Sequence, residues 1–325
     1  MNKIVITGAN GFVGSMLAKK LHNNNNEVIC LVRKNSNTDP IEDKSSVHYI
    51  DYDDFAEIKQ VIQNADILIH AAALTRARKW ETFMKINIDL TRNLVKICNE
   101  TSIKQFIFLS SQAVAGPASN KDYGKIEDDL AQPITMYGKS KLIAEEIIQK
   151  DLVKPWTIIR PVSVYGAGDK DFLKIFKMVK SHIVLLNSYK AKYYNLIHID
   201  ELTSLIEKTI LNKATFNEIL FAANPRILKN SELHKLIGKA INSRNITIRI
   251  PEFMLFPIAS FLELLSFIFK RNFPIINKDK VKEFKEDYWI VDTSKTRTIL
   301  NFKFKDEYIL NFKKTYKWYK NKGWL

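Results

Sequence analysis

The chain has 325 residues, of which 46% are hydrophobic and 26% are charged. This composition predicts a core large enough for one large domain or two closely packed ones, and it excludes a disordered or fibrous chain. The formal net charge of +15 invites comparison with nucleic-acid-binding proteins, but the lysines are spread along the chain and form no confined basic domain. We therefore expect no nucleic-acid function, and a phosphate-bearing cofactor or an anionic membrane surface fits the excess charge better.

The cysteines and the first residues bear on the cellular compartment. Only Cys30 and Cys98 occur, which is too few for a disulfide framework, so a reducing cytosol is the expected setting. The chain passes from a short polar start directly into a predicted strand and a glycine turn, which leaves no room for the apolar core of a signal peptide. We expect a cytoplasmic protein, and we expect no metal site.

Short β-branched runs alternate with helical patterns in the first half of the chain. Strands are predicted at residues 3–7, 27–33, 47–51, 66–71, 105–110 and 157–160. Helices are predicted at residues 14–22, 55–63, 83–98 and 137–150. This alternation is typical of an α/β fold with a doubly wound parallel sheet, which binds its ligands beyond the carboxyl ends of the strands.

The pattern changes after about residue 170. Residues 1–170 are predicted to form a dinucleotide-binding, Rossmann-like domain, and residues 171–325 a smaller, mostly helical part that binds the substrate. Strands predicted at 194–199 and 218–222 are expected to return to the first part. Since no flexible linker is evident, the two parts are expected to pack closely.

Residues 253–269 form a strongly apolar segment that contains Glu263 and is short for a membrane span. One interpretation is a buried or substrate-lining helix. The other is an interfacial helix on a membrane, with Lys270 and Arg271 beside it, so that residues 253–271 make a peripheral membrane contact. The sequence leaves both interpretations open.

A glycine turn follows the first predicted strand. Gly8, Gly11 and Gly14 are spaced by three residues and open an apolar helix. In such a turn the first glycine bends the chain, the second lets the backbone approach a pyrophosphate, and the third packs the helix on the strand. The residues of the turn that we expect to bind a dinucleotide are Gly8, Asn10, Gly11, Phe12, Val13 and Gly14.

The end of the second predicted strand bears on which dinucleotide binds. An acidic residue there would hold the ribose hydroxyls of NAD, but the sequence has Arg33, whose guanidinium donates to a 2′-phosphate. NADP(H) is therefore favoured over NAD(H). At the end of the third strand, Asp51 either accepts from the adenine amino group or is a solvated strand end.

Tyr137 and Lys141 are four residues apart at the start of a predicted helix, so they share one face of it. A nearby ammonium group favours the phenolate, which makes the tyrosine a usable proton donor and acceptor. The preceding apolar strand ends in Ser110 and Ser111, and a hydroxyl at that edge could hydrogen-bond a substrate carbonyl. These side chains predict a proton-transfer site at the carboxyl edge of the sheet.

With these motifs the sequence resembles the extended short-chain dehydrogenase/reductases, which include the NAD-dependent epimerase/dehydratase family. The resemblance covers nearly the whole chain and is strongest over residues 3–169. Besides the turn at residues 7–14, the family's motifs match Asp51, His70, Ala71, Ala72, Ala73, Asn87, Ser111, Tyr137, Lys141, Arg160, Pro161, Val164, Tyr165, Gly166, Gly168, Asp169, His198, Ile199 and Asp200. Glu201 departs from the pattern, because the family usually has a second aspartate there.

The resemblance implies a role for each member of the catalytic set. Tyr137 would be the general acid/base, Lys141 would hold the nicotinamide ribose and tune the tyrosine, and Ser111 would position the reacting oxygen. Asn87 would support a water-linked proton relay, or else only bond the backbone at a helix kink. The further cofactor contacts expected are Tyr52, Ala71, Ala72, Ala73, Tyr137, Lys141, Pro161 and Val164.

Three polar residues near the predicted site have simpler interpretations. Ser110 is expected to pack and not to catalyse. His70 and His198 lie at predicted strand ends, where a satisfied structural histidine is expected more often than a catalytic one.

Departures from the family's motifs narrow the predicted reaction. Dehydratases usually carry an acid pair after the catalytic serine, but Gln112 and Ala113 follow Ser111. Nucleotide-sugar epimerases usually carry an arginine shortly before the strand end at His198, and Tyr194 stands there instead. A later arginine signature of these epimerases is also absent, and Arg226 and Arg249 are the unconventional substitutes that the sequence offers. The pattern is more similar to the branch with the hydroxysteroid dehydrogenases and dihydroflavonol reductases, which handles bulky, uncharged alcohols or ketones.

The predicted function is hydride transfer between nicotinamide and a hydroxy or keto group of a bulky, hydrophobic small molecule. The alternative is a nucleotide-sugar 4-epimerase or reductase with tightly bound NAD. A non-catalytic protein that senses a dinucleotide is a third hypothesis, and the intact catalytic set argues against it. The resemblance also implies a homodimer, packed through the helices predicted at 83–98 and 137–150.

Overall fold

The computed structural model describes residues 1–43, 46–186, 188–269, 273–274 and 276–325. Its strands are β1 (Lys3–Thr7), β2 (Glu27–Arg33), β3 (Val47–Ile50), β4 (Ile67–His70), β5 (Gln105–Leu109), β6 (Trp156–Pro161), β7 (Ser163–Tyr165), β8 (Ile183–Leu186), β9 (Tyr193–Tyr194), β10 (Leu196–His198), β11 (Glu218–Ala222), β12 (Leu228–Lys229), β13 (Ile246–Arg249) and β14 (Tyr288–Trp289). Seven of these strands form the central sheet, in the order β11-β6-β5-β4-β1-β2-β3.

The helices of the described residues cover both faces of this sheet. They are α1 (Phe12–Asn23), α2 (Phe55–Ile62), α3 (Trp80–Phe83), α4 (Leu90–Asn99), α5 (Met136–Asp151), α6 (Lys170–Lys180), α7 (Ile199–Thr209), α8 (Asn230–Ile241), α9 (Leu255–Ile268), α10 (Lys278–Lys285), α11 (Ser294–Leu300) and α12 (Tyr308–Asn321). One buried cluster joins α1, α7 and α11 to the sheet, and a second joins α2, α4 and α5 to it. Both faces are thus buried, which explains why the central strands are almost continuously apolar.

The sheet is parallel throughout, and its chain order reverses between β1 and β4. The predicted α/β fold with a doubly wound parallel sheet is confirmed. In folds of this kind the crevice at the reversal point receives the ligand. The residues that follow β1, β2, β4 and β5 therefore line the edge where a site is expected.

Beyond β7 the chain returns to the sheet with α7, β11 and α11, and it also builds a second group of helices with its own core. An aromatic core joins α6, α8 and α12, with Tyr165, Phe176, Phe312 and Tyr319 among its buried side chains. Three small sheets accompany these helices, in the orders β10-β7, β12-β9-β14 and β13-β8. The helical character expected of this part is observed, while the division of the chain at residue 170 stays a prediction.

The strand predicted at 194–199 is interrupted, and neither piece joins the central sheet. Asn195 separates β9 from β10, because its buried amide donates to the Asn224 carbonyl at 3.0 Å and accepts from the Val291 amide at 2.9 Å. β10 pairs with β7, and β9 pairs with β12 and β14. By contrast, the strand predicted at 218–222 is β11 and forms the edge of the central sheet next to β6.

The apolar segment at 253–269 contains α9, which is largely exposed. Of its residues only Leu255, Ala259 and Ser266 are buried, so α9 is not a buried helix, and its substrate-lining role stays a prediction. Lys270 and Arg271, which the membrane interpretation used, lie outside the described residues. Among the helices described here, none combines the length and apolarity that crossing a membrane requires.

Candidate functional site

The glycine turn lies between β1 and α1, where the chain must pass close to the end of β4. Gly8 has φ of +68°, and a Cβ there would lie 2.6 Å from the Ala72 Cα. Gly11 begins α1 and donates its amide to the Gly8 carbonyl at 3.0 Å. The turn therefore needs glycine for steric reasons, and it leaves the amino end of a helix facing the sheet edge, which suits a pyrophosphate.

Tyr52 connects this turn to β2 through its hydroxyl group. Its hydroxyl accepts a hydrogen bond from the Gly8 amide at 3.1 Å and donates one to the Leu31 carbonyl at 3.1 Å. Burial raises the pKa of the phenol to about 12, so it stays protonated. The sequence placed Tyr52 among the cofactor contacts but gave no sign that its side chain ties the turn to β2.

The two residues expected to contact the adenosine half are both exposed. Arg33 ends β2, and its guanidinium lies near the Tyr52 hydroxyl. Asp51 follows β3, and its carboxylate accepts from the Asp53 amide at 3.0 Å. Both side chains are thus reachable by a ligand that occupies the edge of β2 and β3.

Tyr137 and Lys141 lie on the first turns of α5, which Thr135 caps by accepting from the Gly138 amide at 3.1 Å. Burial raises the pKa of the Tyr137 phenol to about 12, and the nearby Ser111 side chain opposes this rise. Ser111 is the cap of the short helix at Gln112–Val114 and accepts from its backbone. The structure therefore brings together the serine and the tyrosine that the sequence predicted.

The ammonium of Lys141 is buried against the end of β5. Its Nζ donates to the Leu109 carbonyl at 2.7 Å and lies 3.8 Å from the ring centroid of Phe108. Burial lowers the pKa of Lys141 to about 7, and the Glu145 carboxylate one turn further along α5 opposes this shift. The lysine thus has a counter-charge that the sequence analysis did not identify.

Glu145 belongs to a buried network that also lies below the site. Its carboxylate accepts from Arg160 at 3.0 Å and 2.6 Å, and it also accepts from the Ser110 hydroxyl. The carboxylate is fully buried and the guanidinium nearly so. Ser110 therefore has a structural partner, as expected. In the sequence, the Glu145–Arg160 pair is indicated only by an acid one turn after Lys141. That Arg160 is its partner is visible only in the structure.

Asn87 lies in a π-helical segment, Met84–Asp89, that kinks the helix predicted at 83–98. Its amide accepts from the Leu74 amide at 2.8 Å, donates to the Leu74 carbonyl at 3.0 Å, and donates to the Ser140 hydroxyl at 2.9 Å. Through these bonds, Asn87 links the loop after β4 to α5. Of the two interpretations, backbone bonding at a kink is observed, and the relay stays a proposal.

Both histidines near the sheet edge have structural partners. His70 is fully buried between the hydroxyls of Thr7 and Thr91, at 2.7 Å and 3.0 Å, and burial holds its pKa well below the usual value. His198 caps α7 by accepting from the Asp200 amide at 3.3 Å. Burial lowers the pKa of His198 to about 4. Both rings are therefore neutral at pH 7.

The segment after β6 returns to the glycine turn. Pro161 is buried within the sheet beside Ala222, and Val164 lies in β7. Gly168 has φ of +93°, and a Cβ there would lie 3.5 Å from the ring of Phe12. Phe12 and this segment thus form one wall beside the turn, and the residues around the sheet edge fit a dinucleotide.

Three comparisons place this architecture among known proteins. The sequence model of the NAD dependent epimerase/dehydratase family matches residues 4–218. The UDP-glucose 4-epimerase of Vibrio cholerae is 27% identical over 267 residues, which are 76% of this chain and 78% of that enzyme. The crystal structure of MoeE5 in complex with UDP-glucuronic acid and NAD has a TM-score of 0.77 at 18% identity, covering 98% of this chain and 99% of MoeE5.

A dehydrogenase is also among the similar proteins. The 3 beta-hydroxysteroid dehydrogenase/Delta 5-->4-isomerase of Vaccinia virus (strain Ankara) is 28% identical over 211 residues, which are 59% of this chain. The matched region spans 60% of the viral enzyme. Similar proteins thus include both an epimerase and a member of the hydroxysteroid dehydrogenase branch.

Proposed function

Because the chain belongs to the NAD dependent epimerase/dehydratase family, we propose that it transfers hydride between nicotinamide and a hydroxy or keto group of a bulky, hydrophobic substrate. The family comprises NAD-dependent epimerases and dehydrogenases, and this chain is accordingly an enzyme that uses a nicotinamide dinucleotide. The observation that carries the proposal is the proximity of the Tyr137 phenol to Ser111, with Lys141 one turn further along α5 and its ammonium held at the end of β5.

The protein's own residues supply the proton chemistry. A bound nicotinamide would supply or accept the hydride. The Ser111 hydroxyl would hold the substrate oxygen, and the Tyr137 hydroxyl would donate a proton to it as the carbonyl is reduced. Since burial keeps the pKa of Tyr137 at about 12, the phenol carries its proton at neutral pH and is ready to act as the acid. Lys141, one turn further along α5, would stabilise the resulting phenolate when it is protonated, and its pKa of about 7 means that this holds for only part of the molecules at neutral pH.

The residues near β10 support an uncharged substrate over a nucleotide diphosphate. Tyr194 stands where epimerases usually carry an arginine, and its phenol is buried. Arg226 is nearby in the chain but is held by Asp306 at 2.7 Å and by Glu232 at 2.6 Å. Binding a diphosphate through Arg226 would first require breaking these ion pairs.

A nucleotide-sugar 4-epimerase or reductase with tightly bound NAD is the second candidate. It is favoured by the similarity to the UDP-glucose 4-epimerase of Vibrio cholerae and to MoeE5 with its UDP-sugar and NAD. The same serine, tyrosine and lysine serve both reactions, so the catalytic set does not separate them. NAD that remains bound through purification would favour this candidate.

Four narrower statements belong to the same proposal. NADP(H) is favoured over NAD(H) because Arg33, and no acid, ends β2. A homodimer through 83–98 and 137–150 is supported by α4 and α5, which lie side by side on one face of the sheet. The protein is cytoplasmic, and residues 253–271 contact a membrane surface.

Tyr137→Phe tests the reaction. Purified protein is incubated with NADPH or NADH and a panel of ketosteroids and aromatic ketones, or with NADP+ or NAD+ and a panel of hydroxysteroids and UDP-sugars. Oxidation or reduction of the cofactor is followed at the nicotinamide absorbance. The variant should lose turnover of whichever ketone the wild type reduces, with cofactor affinity nearly unchanged, because only the proton donor is removed. Tyr123→Phe is the matched control, since that tyrosine is 54% exposed.

Two results would contradict the proposal. Unchanged turnover by Tyr137→Phe would remove the tyrosine from the mechanism. Epimerisation of a UDP-sugar without net cofactor oxidation, by protein that retains NAD, would replace the reductase with the second candidate.

A further inference from the structure

A two-stranded ribbon on the outside of the C-terminal part has one bare aliphatic face. β8 and β13 run parallel, so that Ile183 lies beside Ile246 and Leu185 lies beside Ile248. These side chains are 47%, 72%, 44% and 48% exposed, respectively. Val184, on the other face of β8, is fully buried in the aromatic core. We call the four exposed side chains the ribbon face.

α9 begins a few residues after β13 and carries a second set of exposed apolar side chains. The α9 face comprises the exposed side chains of Phe253, Phe256, Phe261, Leu264, Phe267 and Ile268. The opposite side of the helix is fixed to the protein, because Leu255 and Ala259 are buried against α10 and Arg78 donates to the Ser266 hydroxyl at 2.7 Å. The apolar side chains are therefore held outward by packing.

The chain around the ribbon face is cationic. Residues 177–192 and 233–251 contain neither aspartate nor glutamate. Their exposed basic side chains are Lys177, Lys180, Lys190, Lys235, Lys239, Arg244 and Arg249. The next acid along the chain, Glu252, accepts from Ser188 at 2.7 Å and lies 3.1 Å from the buried Lys192. Its charge is thus turned toward the protein.

We propose that the ribbon face and the α9 face bind the surface of an anionic lipid bilayer. Apolar side chains of this size gain free energy by entering the boundary between headgroups and acyl chains, and flanking lysines and arginines are attracted to anionic headgroups. Exposed aliphatic and aromatic side chains with a cationic rim match an anionic bilayer. A protein partner would instead have to place an acidic residue opposite each of these lysines and arginines. The α9 face deepens the membrane contact proposed above for residues 253–271, and the ribbon face is a new part of that contact. Neither face depends on the identity of the substrate.

Sedimentation with vesicles tests the proposal on the full chain. Protein is mixed with vesicles of phosphatidylcholine alone or with about equal amounts of phosphatidylglycerol, in low and high salt. It should sediment with the anionic vesicles, and less so in high salt. The double variant Ile246→Ser, Ile248→Ser should reduce binding at least about tenfold, because it removes two apolar side chains that would enter the bilayer.

The cationic rim has its own variants and controls. Lys180→Gln and Arg244→Gln should each weaken binding about fivefold. Leu130→Ser, at a position 77% exposed elsewhere, and Lys150→Gln, at an exposed position on α5, should leave it unchanged. Thermal unfolding verifies that each variant is folded.

Three outcomes would overturn the proposal. Protein that stays in solution with both vesicle types does not bind lipid. Binding that the ribbon variants leave intact uses another surface. A dimer in analytical ultracentrifugation that the ribbon variants dissociate, without vesicle binding, would make the surface a contact between two copies of the chain.

Discussion

At the scale of single residues, burial sets the chemistry of the proposed catalytic pair. Tyr137 keeps its proton because the phenolate would be desolvated, and Lys141 tends to lose its proton for the same reason. The pKa of a buried amine falls while that of a buried phenol rises. A substrate carbonyl would thus meet a protonated acid, which suits the reductive direction.

The titration of Lys141 should appear in the stability of the cofactor-free protein. Its pKa is about 7 in the folded protein and about 10.5 in the unfolded chain, so between these values the unfolded chain binds the additional proton. The contribution of Lys141 to the free energy of unfolding therefore increases as pH rises from about 7 to about 10. Chemical unfolding at several pH values measures it, with Lys141→Met as the reference.

Subtracting the Lys141→Met curve from the wild-type curve removes the other groups that titrate in the same range. A difference that stays flat from neutral to alkaline pH would mean that Lys141 keeps its proton in the folded protein, so that Glu145 outweighs burial.

The proposed preference for NADP(H) rests on Arg33. Arg33→Asp should shift preference from NADP(H) toward NAD(H), because a carboxylate accepts from ribose hydroxyls and repels a 2′-phosphate. Nicotinamide fluorescence measures the two affinities. Lys34→Asp, at the next exposed position, is the control for a general change of charge. An equal preference in wild type and Arg33→Asp would remove Arg33 from the phosphate site.

At the scale of elements, α5 links the proposed chemistry to the sheet. Tyr137, Lys141 and Glu145 follow one another at intervals of four and therefore share a face of the helix. Glu145 is joined to Arg160 of β6 by two hydrogen bonds in a buried environment. This pair fixes the register of α5 against β6, and so the position of the two residues above it.

Breaking the pair should be costly. Glu145→Ala leaves the Arg160 guanidinium buried without its counter-ion, so we expect the free energy of unfolding to fall by about 3–5 kcal/mol. Replacing both residues, with Glu145→Leu and Arg160→Met, should restore most of the loss because no unpaired charge remains. Glu100→Ala, which removes the exposed partner of Lys59, should change stability little.

Denaturant unfolding of these variants decides between two accounts of the pair. If Glu145→Ala is as stable as wild type, water or another group compensates Arg160. In that case the pair does not position α5.

At the scale of the whole molecule, the proposed catalytic site and the proposed lipid-binding surface lie on different elements. The carboxyl edge of the sheet gathers the glycine turn, Arg33, Asp51, Ser111 and Tyr137, which all follow strands or begin helices at that edge. An aromatic core joins α6, α8 and α12, and the elements after β7 carry both apolar faces proposed to meet lipid. The chain has a net charge of +15. Part of this excess lies in the exposed lysines and arginines around the ribbon face.

The sequence by itself determined the local features. The central strands, the glycine turn and the spacing of Tyr137 and Lys141 were predictable, because apolar periodicity and short motifs act over neighbouring residues. The strand at 194–199 was predicted as one piece, because the bonds from Asn195 to Asn224 and Val291 join distant parts of the chain.

Only the tertiary structure decided which distant groups meet. Tyr52 reaches Gly8, and Glu145 reaches Arg160, across separations that no local pattern reports. The outward direction of α9 likewise depends on which side of the helix meets α10, since every side of it is apolar in sequence. Partners, burial and the resulting pKa values arise from packing, and packing is a property of the folded chain as a whole.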